Sequence, residues 1–506
     1  MVTRIRPQSA TRTAQKQVIR AVTGTLGLHG ERMSKVDTAW LRMDSSSNLM
    51  MILGVWVIRP GVAYADLAQR LEERLLKYPR FVQRAVEDAA GATWVSDENF
   101  DMAHHLVPTA LPQAEAAKQQ DALQERLAEL CMQPLDRSRP LWQFHLVENY
   151  QGGSALMVRI HHCIADGIAL ISVMQSLVDG GAPPPQRHRT NELAEGPQEW
   201  LIDHLLKPLT QLAVSAMDKA GDSAVRSLGA LMAPQKSVES GLAGSVDVAK
   251  LAYQVVTDLA ALALMEDDSP TALKGVPGIH KRVAWCKPLP LADVKAVGRA
   301  LNCSVNDVLL GCVAGAIGGY LRAHGDTVQG KNIRAMVPVN LRPLEHAYKL
   351  GNHFGLAPLT LPIGLDNPVE RVYEVRHRMR SLKGSTQPLL TFGLLAVAGL
   401  LIKPAQDAML GLFSKKTTAV MTNVPGSNVK QKLCGSTIEE TLFWVPQSGS
   451  VGLGVSILSY GGGVQFGIVA DTTLCPQPQH IIDLFAPEFE KLTWMALMLP
   501  WGEPEA

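Results

Sequence analysis

Residues 179–198 (DGGAPPPQRHRTNELAEGPQ) concentrate glycine, proline and charge in the middle of a chain that otherwise mixes strand-like and helix-like runs. Residues of these types at such density break regular structure, so the chain must fold as two mixed blocks and not as one continuous array. The first block has a strand-like run at 50–58 (MMILGVWVI) and an amphipathic helix at 64–76. Runs at 142–147 and 155–162 flank Tyr150-Gln-Gly-Gly153 and read as a hairpin. Beyond the break, apolar residues recur at helical spacing over 202–216, with a kink expected at Pro208, and a second helical stretch covers 246–265. A connector follows at 267–278. After it come a strand at 281–289, a helix at 291–301, a helix starting near Ser304, and strands at 334–339, 451–458 and 464–470. The pattern implies an α/β (α+β) protein of two lobes with mixed sheets joined by a helical crossover. Its expected parts are a basic N-terminal tail (1–32), an N-terminal lobe (33–184), linker and crossover helices (185–278) and a C-terminal lobe (279–506). A site between the lobes is the default expectation.

The 506 residues are 46% hydrophobic and 19% charged, with 48 Lys+Arg against 47 Asp+Glu, or 48 − 47 = +1. This excludes a disordered chain, which needs low hydrophobicity and high net charge. It also argues against a nucleic-acid binder, which shows a basic excess. Seven scattered cysteines form no CxxC pair, which implies reduced thiols in a cytoplasmic compartment and no zinc site. The N-terminus lacks the apolar core of a secretory signal. It carries Arg4, Arg6, Arg12, Lys16 and Arg20 with no acid before Glu31, which reads as a tail or as an electrostatic contact with anionic lipid. No run reaches the roughly 18 apolar residues that span a bilayer. The longest, 389–402 (LLTFGLLAVAGLLI), is flanked by basic residues, and a buried core helix and an interfacial helix are both open for it.

The chemistry concentrates at Ile160-His161-His162-Cys163-Ile164-Ala165-Asp166-Gly167. Strand alternation places His162 on the face of Leu156, Val158 and Ile160, and His161 on the opposite face, which is poor geometry for chelating one metal. Asp166 and Gly167 fall in the following turn, where the carboxylate can orient the turn or the imidazole and the glycine leaves room for substrate. An imidazole with an ordinary pKa of about 6.5 suits proton transfer from a hydroxyl near neutrality. A structural role for a histidine at a strand end is the alternative.

The HHxxxDG string resembles the active-site motif of the CoA-dependent acyltransferases with a chloramphenicol-acetyltransferase-like fold. Further strings occur along the chain in this order: Pro140-Leu141-Trp142 before that motif, then Asn306-Asp307-Val308-Leu309, Val337-Pro338-Val339-Asn340-Leu341-Arg342-Pro343, Gly351-Asn352-His353-Phe354-Gly355 and Asn423-Val424-Pro425-Gly426 after it. Together they resemble the bacterial wax ester synthase/diacylglycerol acyltransferase family, from Met33-Ser34-Lys35-Val36-Asp37 to Asp471. Departures are the long basic tail, Ser427 where proline often stands, and Cys163 where alanine often stands.

The resemblance implies two chloramphenicol-acetyltransferase-like lobes. It also implies an acyl-CoA-dependent O-acyltransferase that esterifies long-chain fatty alcohols, diacylglycerol or both, giving wax esters or triacylglycerols. In that reading His162 is the general base, His161 its supporting neighbour and Asp166 a structural partner, expected to pair with an arginine. Asn306 and Asp307 scaffold the site or merely cap a helix. Pro140, Leu141 and Trp142 line an acyl channel or pack the core. Asn423, Pro425 and Gly426 form a turn or contribute to the inter-lobe tunnel. Arg342 and His353 contact CoA phosphates or have structural roles. An acyl-cysteine at Cys163 is the less favoured idea, since a small buried residue accounts for it. No cofactor or metal is expected, acyl-CoA being a substrate. The expected location is peripheral, on the inner membrane face or on lipid inclusions. The competing functions are a condensation-type acyltransferase that forms amides and a non-catalytic lipid-droplet binding protein.

Overall fold

The computed structural model describes residues 30–88, 91–112, 115–184, 266–341, 350–383, 391, 406, 410–411 and 413–499. The tail through residue 29, the expected crossover helices at 202–216 and 246–265, the apolar stretch 389–402 except Thr391, and Arg342 lie outside the described residues. In chain order the main elements of the first half are α1 (Lys35–Arg42), β1 (Met51–Arg59), α2 (Tyr64–Arg74), β2 (Gln83–Asp88), β3 (Gly91–Ser96), β4 (Leu106–Pro108), α3 (Ala116–Cys131), β5 (Trp142–Tyr150), β6 (Gly153–His161) and α4 (Gly167–Leu177). The second half contains β7 (Lys281–Trp285), β8 (Leu289–Pro290), α5 (Leu291–Ala300), α6 (Val305–Ala323), β9 (Ile333–Asn340), β10 (Phe354–Leu361) and α7 (Pro368–Lys383). It continues through β11 (Ala419–Pro425), β12 (Lys432–Leu433), β13 (Ser436–Trp444), β14 (Leu453–Tyr460), β15 (Gly463–Asp471) and α8 (Pro478–Met498).

Two mixed sheets dominate. The first runs β12-β13-β1-β6-β5-β4, and the second runs β10-β9-β11-β14-β15-β7 with β8 added beside β15. The hairpin β5–β6 forms where expected. Its two-residue turn holds Gln151 at φ 49° and Gly152 at φ 76°, the positive-φ pair that lets a tight hairpin follow the strands' right-handed twist. All nine residues of β6 are buried, so the strand that leads to the histidines has protein on both faces. Helix α6 begins at the expected place, because Ser304 and Asp307 form a reciprocal capping box.

The sheets do not divide the chain at residue 279. β13 leaves the second half and pairs antiparallel with β1, from Thr437↔Arg59 to Trp444↔Leu53. The C-terminal lobe expected over 279–506 therefore lends residues 432–444 to the N-terminal sheet. Likewise Glu31 and Arg32, the end of the expected tail, pair with Trp94 and Thr93. A cluster drawn from both sheets, including Leu53, Met157, Trp285, Leu442, Trp444 and Val469, seals the lobes together. Among the described residues no single helix is long and apolar enough to cross a membrane.

Candidate active site

The site forms where β6 ends and α4 begins. Asp166 caps α4, its Oδ1 accepting from Ala169 N at 2.9 Å, which satisfies one of the helix's unpaired N–H groups. Its Oδ2 accepts from His353 N at 2.9 Å, and its own N–H donates to Gly351 O at 3.3 Å. The loop 350–354 from the second half is thus tied to the HHxxxDG turn by the carboxylate and the backbone N–H of Asp166. Gly351 adopts φ 114°, backbone that a residue with a Cβ adopts only under strain.

That loop delivers Asn352 to the imidazole. His162 Nδ1 lies 2.8 Å from Asn352 Oδ1. The amide's orientation follows from its other bonds: Asn352 Nδ2 donates to Asp37 Oδ1 at 2.7 Å and to His162 O at 2.7 Å. With the NH₂ end spent on two acceptors, Oδ1 faces the ring and can only accept, so Nδ1 carries the proton and Nε2 holds the lone pair. Asp37 is held in turn by the Asn352 N–H at 3.0 Å and by Arg80 Nη1 at 3.1 Å. Arg80 also donates to Ile164 O at 2.7 Å. Arg80 thus pairs with Asp37.

Trp40 stacks on the imidazole, centroids 4.2 Å apart and planes 14° apart, and Phe354 lies 5.4 Å away on a tilted plane. This aromatic enclosure leaves His162 3% exposed, and no hydrogen bond among the described residues uses Nε2. Burial pushes the imidazole pKa down to about 4, against the opposing pull of Asp166 and the Asn352 hydrogen bond. The ordinary value of 6.5 assumed from the sequence therefore does not hold; the ring is neutral throughout the neutral range.

His161 turns elsewhere. Its Nδ1 accepts from Cys163 N at 3.2 Å and its Nε2 faces Asp44 Oδ2 at 3.4 Å. Burial raises the Asp44 carboxyl, but His161, the Met50 N–H and Arg137 together bring it below its usual value. Cys163 is fully buried and burial pushes its thiol well up, leaving no thiolate for an acyl-cysteine.

An apolar pocket, partly open to solvent, runs between the lobes beside this turn. Ile160 and Gly167 line its near end, and Gly54, Trp56, Leu170, Met174, Val424, Gly426 and Leu458 its walls. His162 itself is not a lining residue; the pocket reaches the residues two before and five after it. Around a Cβ built on Gly167 there is no atom within 4 Å, so the space beside the turn is open.

The remaining residues singled out by the sequence separate into groups. Gly426 is on the pocket wall; Asn423 Nδ2 donates to Asn306 Oδ1 at 3.0 Å, linking β11 to the start of α6; Pro425 ends β11 at the surface. Asp307 serves the helix cap. Pro140, Leu141 and Trp142 are buried, and Trp142 donates to Phe81 O at 2.8 Å and stacks on His105. They pack the core and do not line the pocket. His353 contributes its backbone, as described. Asp37, Trp40 and Arg80 were missed as site residues, and Asn352 had no assigned part, although its string was noted. Asn352 meets His162 across 190 residues and Asp37 across 315; a local pattern cannot show such pairings. Among the described residues, no group of three or more His, Cys, Asp or Glu side chains is arranged to hold a metal ion.

Comparison with known proteins matches residues 33–309 to the wax ester synthase/diacylglycerol acyltransferase catalytic domain and residues 350–493 to the WS/DGAT C-terminal domain. A probable diacylglycerol O-acyltransferase (tgs1) of Mycobacterium tuberculosis is 27% identical over 452 residues, 87% of this chain and 90% of that protein. Among solved structures, the wax ester synthase/diacylglycerol acyltransferase of Marinobacter aquaeolei VT8 superposes with a TM-score of 0.63 at 19% identity, covering 92% of this chain and 100% of the other. The starter condensation domain of rhizomide synthetase superposes at 0.53 with 14% identity, over 94% of this chain and 96% of that domain. At these identities the structural likenesses speak for the fold alone.

Proposed function

Because the chain belongs to the wax ester synthase/diacylglycerol acyltransferase family, an acyltransferase family, we propose that His162 is the base of an O-acyl transfer from long-chain acyl-CoA to a fatty alcohol, a diacylglycerol or both. Nε2 takes the hydroxyl proton as the alcohol oxygen attacks the thioester carbon. The tetrahedral oxyanion then collapses and the C–S bond breaks. The imidazolium returns its proton to the departing CoA thiolate, leaving the ester and free thiol. Acyl passes directly between the two substrates in a ternary complex, and no cofactor takes part.

The observation that carries this reading is the Asn352–His162 hydrogen bond, which leaves Nε2 as the unprotonated nitrogen. A general base contributes about 10²–10⁴-fold to such a step. A depressed imidazole pKa weakens the base but keeps it unprotonated at every physiological pH, and a buried, low-dielectric setting favours passing the proton on. Asp166 fixes the turn, and His161 supports it through Asp44 on the other side of the strand. Gly167 and the apolar pocket accommodate the substrate chain.

The test is thiol release from palmitoyl-CoA by the purified protein. Release that requires hexadecanol or dipalmitoylglycerol and disappears in His162→Ala supports the reading, and competition between the two acceptors ranks them. Release that requires an amine acceptor instead would place the chain with the amide-forming condensation domains. Lipid binding without release in either protein would make it a lipid-droplet binding protein. The esters are insoluble, and the end of α8 exposes Trp494 at 64%, Leu497 at 54% and Met498 at 81%. These features support a peripheral position on the cytoplasmic membrane face or on lipid inclusions, which flotation with anionic liposomes tests.

A further inference from the structure

We propose that the paired side-chain amides of Gln175 and Gln431 form the end stop of the apolar pocket and set the length of the alkyl chain it accepts. The inference rests on the acyl-transfer reading above. It adds what limits the chain.

Gln175 is near the C-terminal end of α4, the helix whose face lines the pocket from Gly167 through Leu170, Ile171 and Met174. Gln431 comes from the second half of the chain, in the segment after β11 that leads into β12 of the first sheet. Gln175 Nε2 donates to Gln431 Oε1 at 3.0 Å, and Gln431 Nε2 donates back to Gln175 Oε1. Both residues line the pocket, so the paired amides form part of its wall. Gln431 is also braced through its backbone: its N–H donates to Tyr460 Oη at 2.8 Å, Tyr460 Oη donates to Ile438 O at 3.0 Å, and Ile438 N donates to Gln431 O at 2.9 Å. Tyr460 and Ile438 line the pocket as well, so the bar across its remote end is anchored at three points.

Gln175 follows Gly167 by eight residues of α4, which sets the bar about 12 Å along the helix from the near end of the pocket. Passing it requires separating a pair of amides that satisfy each other, with no polar partner offered by a methylene chain.

The experiment measures thiol release by the full chain for two substrate series, acyl-CoAs from decanoyl to tetracosanoyl with hexadecanol and alcohols of the same range with palmitoyl-CoA. Gln175→Ala and Gln431→Ala are made separately, together with Gly54→Leu. Gly54 lines the middle of the pocket, and a Cβ there meets its neighbours only at ordinary contact distances of 3.5–3.8 Å, so its added side chain extends into the pocket. Both glutamine variants are expected to raise kcat/KM for the longest chains relative to hexadecyl ones by about tenfold, a change of ~1.4 kcal/mol, in one series only. Gly54→Leu should shorten the profile of that same series. If Gly54→Leu shortens one series while both glutamine variants keep the parental profile, the pocket holds a chain and the end stop is wrong. If all three leave both series unchanged, the pocket holds no chain and the end stop is wrong; thiol release that no alcohol stimulates, in the parent as in the variants, would overturn the underlying reading instead. A shift of both series in the glutamine variants also overturns the proposal, because one pocket takes one chain.

Discussion

Asn352 Oδ1 and His162 Nδ1 lie 2.8 Å apart although 190 residues separate them, and this contact decides which imidazole nitrogen can act as a base. Replacing Asn352 by alanine removes the acceptor that fixes the tautomer and leaves Asp37 without the side-chain amide's hydrogen bond, while the backbone N–H of residue 352 can still donate. Asn352→Ala is expected to lower kcat by about 10²–10⁴-fold, the range associated with losing a correctly oriented base, with a smaller change in KM. Steady-state kinetics, with the circular dichroism melt as a control for folding, checks this. A near-parental kcat in a folded Asn352→Ala protein would remove Asn352 from any role in orienting the ring.

Burial holds His162 at a pKa of about 4, so activity should not fall with an ordinary imidazole's midpoint. The acid limb of kcat/KM is expected well below pH 6.5, approaching 4 while the protein stays folded. Stability follows a related rule. Burial also depresses His105 to about 4 and His145 to about 3. Each folded pKa lies below its unfolded value, so the unfolded chain binds protons first as pH falls. The stabilisation is complete above about pH 6.5 and is lost toward pH 4, with a slope of about 1.4 kcal/mol per pH unit for each histidine. Urea midpoints measured across that window should fall steadily, and a flat profile would contradict the burial of these rings.

Gly167 separates folding from function. It opens α4, and a Cβ there meets nothing within 4 Å. Gly167→Ala should therefore fold at least as stably as the parent, by up to about 1 kcal/mol, since glycine is entropically costly in a helix. It nevertheless projects into the near end of the pocket, so kcat/KM for long-chain substrates should fall, and Gly167→Leu should lower it further, by more than about tenfold, equivalent to ~1.4 kcal/mol. Paired melting and thiol-release measurements read the two effects independently.

The legible parts of this protein were those encoded by neighbours in sequence. The hairpin at 150–153, the capping residue Ser304 and the switch from strand to helix around Asp166 each follow from a few adjacent residues. The strand 419–425 escapes a local reading because its first four residues are all buried, which erases alternation, and the strand 436–444 because a register shift between Ile438 and Glu440 breaks its period. The opposite orientations of His161 and His162 followed from strand alternation, but the low pKa of His162 did not, because Trp40 and Phe354 come from distant elements. The strand exchange by β13 was invisible for the same reason: no local rule says that Thr437 pairs with Arg59.

The interior of the second lobe carries its own test. Arg371 and Glu488 form an ion pair between α7 and α8, with side chains 2% and 8% exposed. The guanidinium is completed by Gly311 O at 2.9 Å and Leu365 O at 2.7 Å, and Lys491 reaches the other Glu488 oxygen at 2.6 Å. A fully satisfied pair of this kind adds little over a packed apolar contact, yet removing one partner strands a buried charge at a cost of about 3–5 kcal/mol. Glu488→Gln is expected to lose stability of that order. Gly315 on α6 is the matching constraint, because a Cβ there would collide with both Glu488 Oε2 and Arg371 Nη2. Gly315→Ala should thus destabilise the protein, although alanine favours helices by about 1 kcal/mol over glycine. Urea denaturation measures both variants; a Gly315→Ala protein as stable as the parent would mean that α6 and the ion pair are not packed this closely. Neither residue borders the pocket or the imidazole, so turnover by the folded fraction should remain parental.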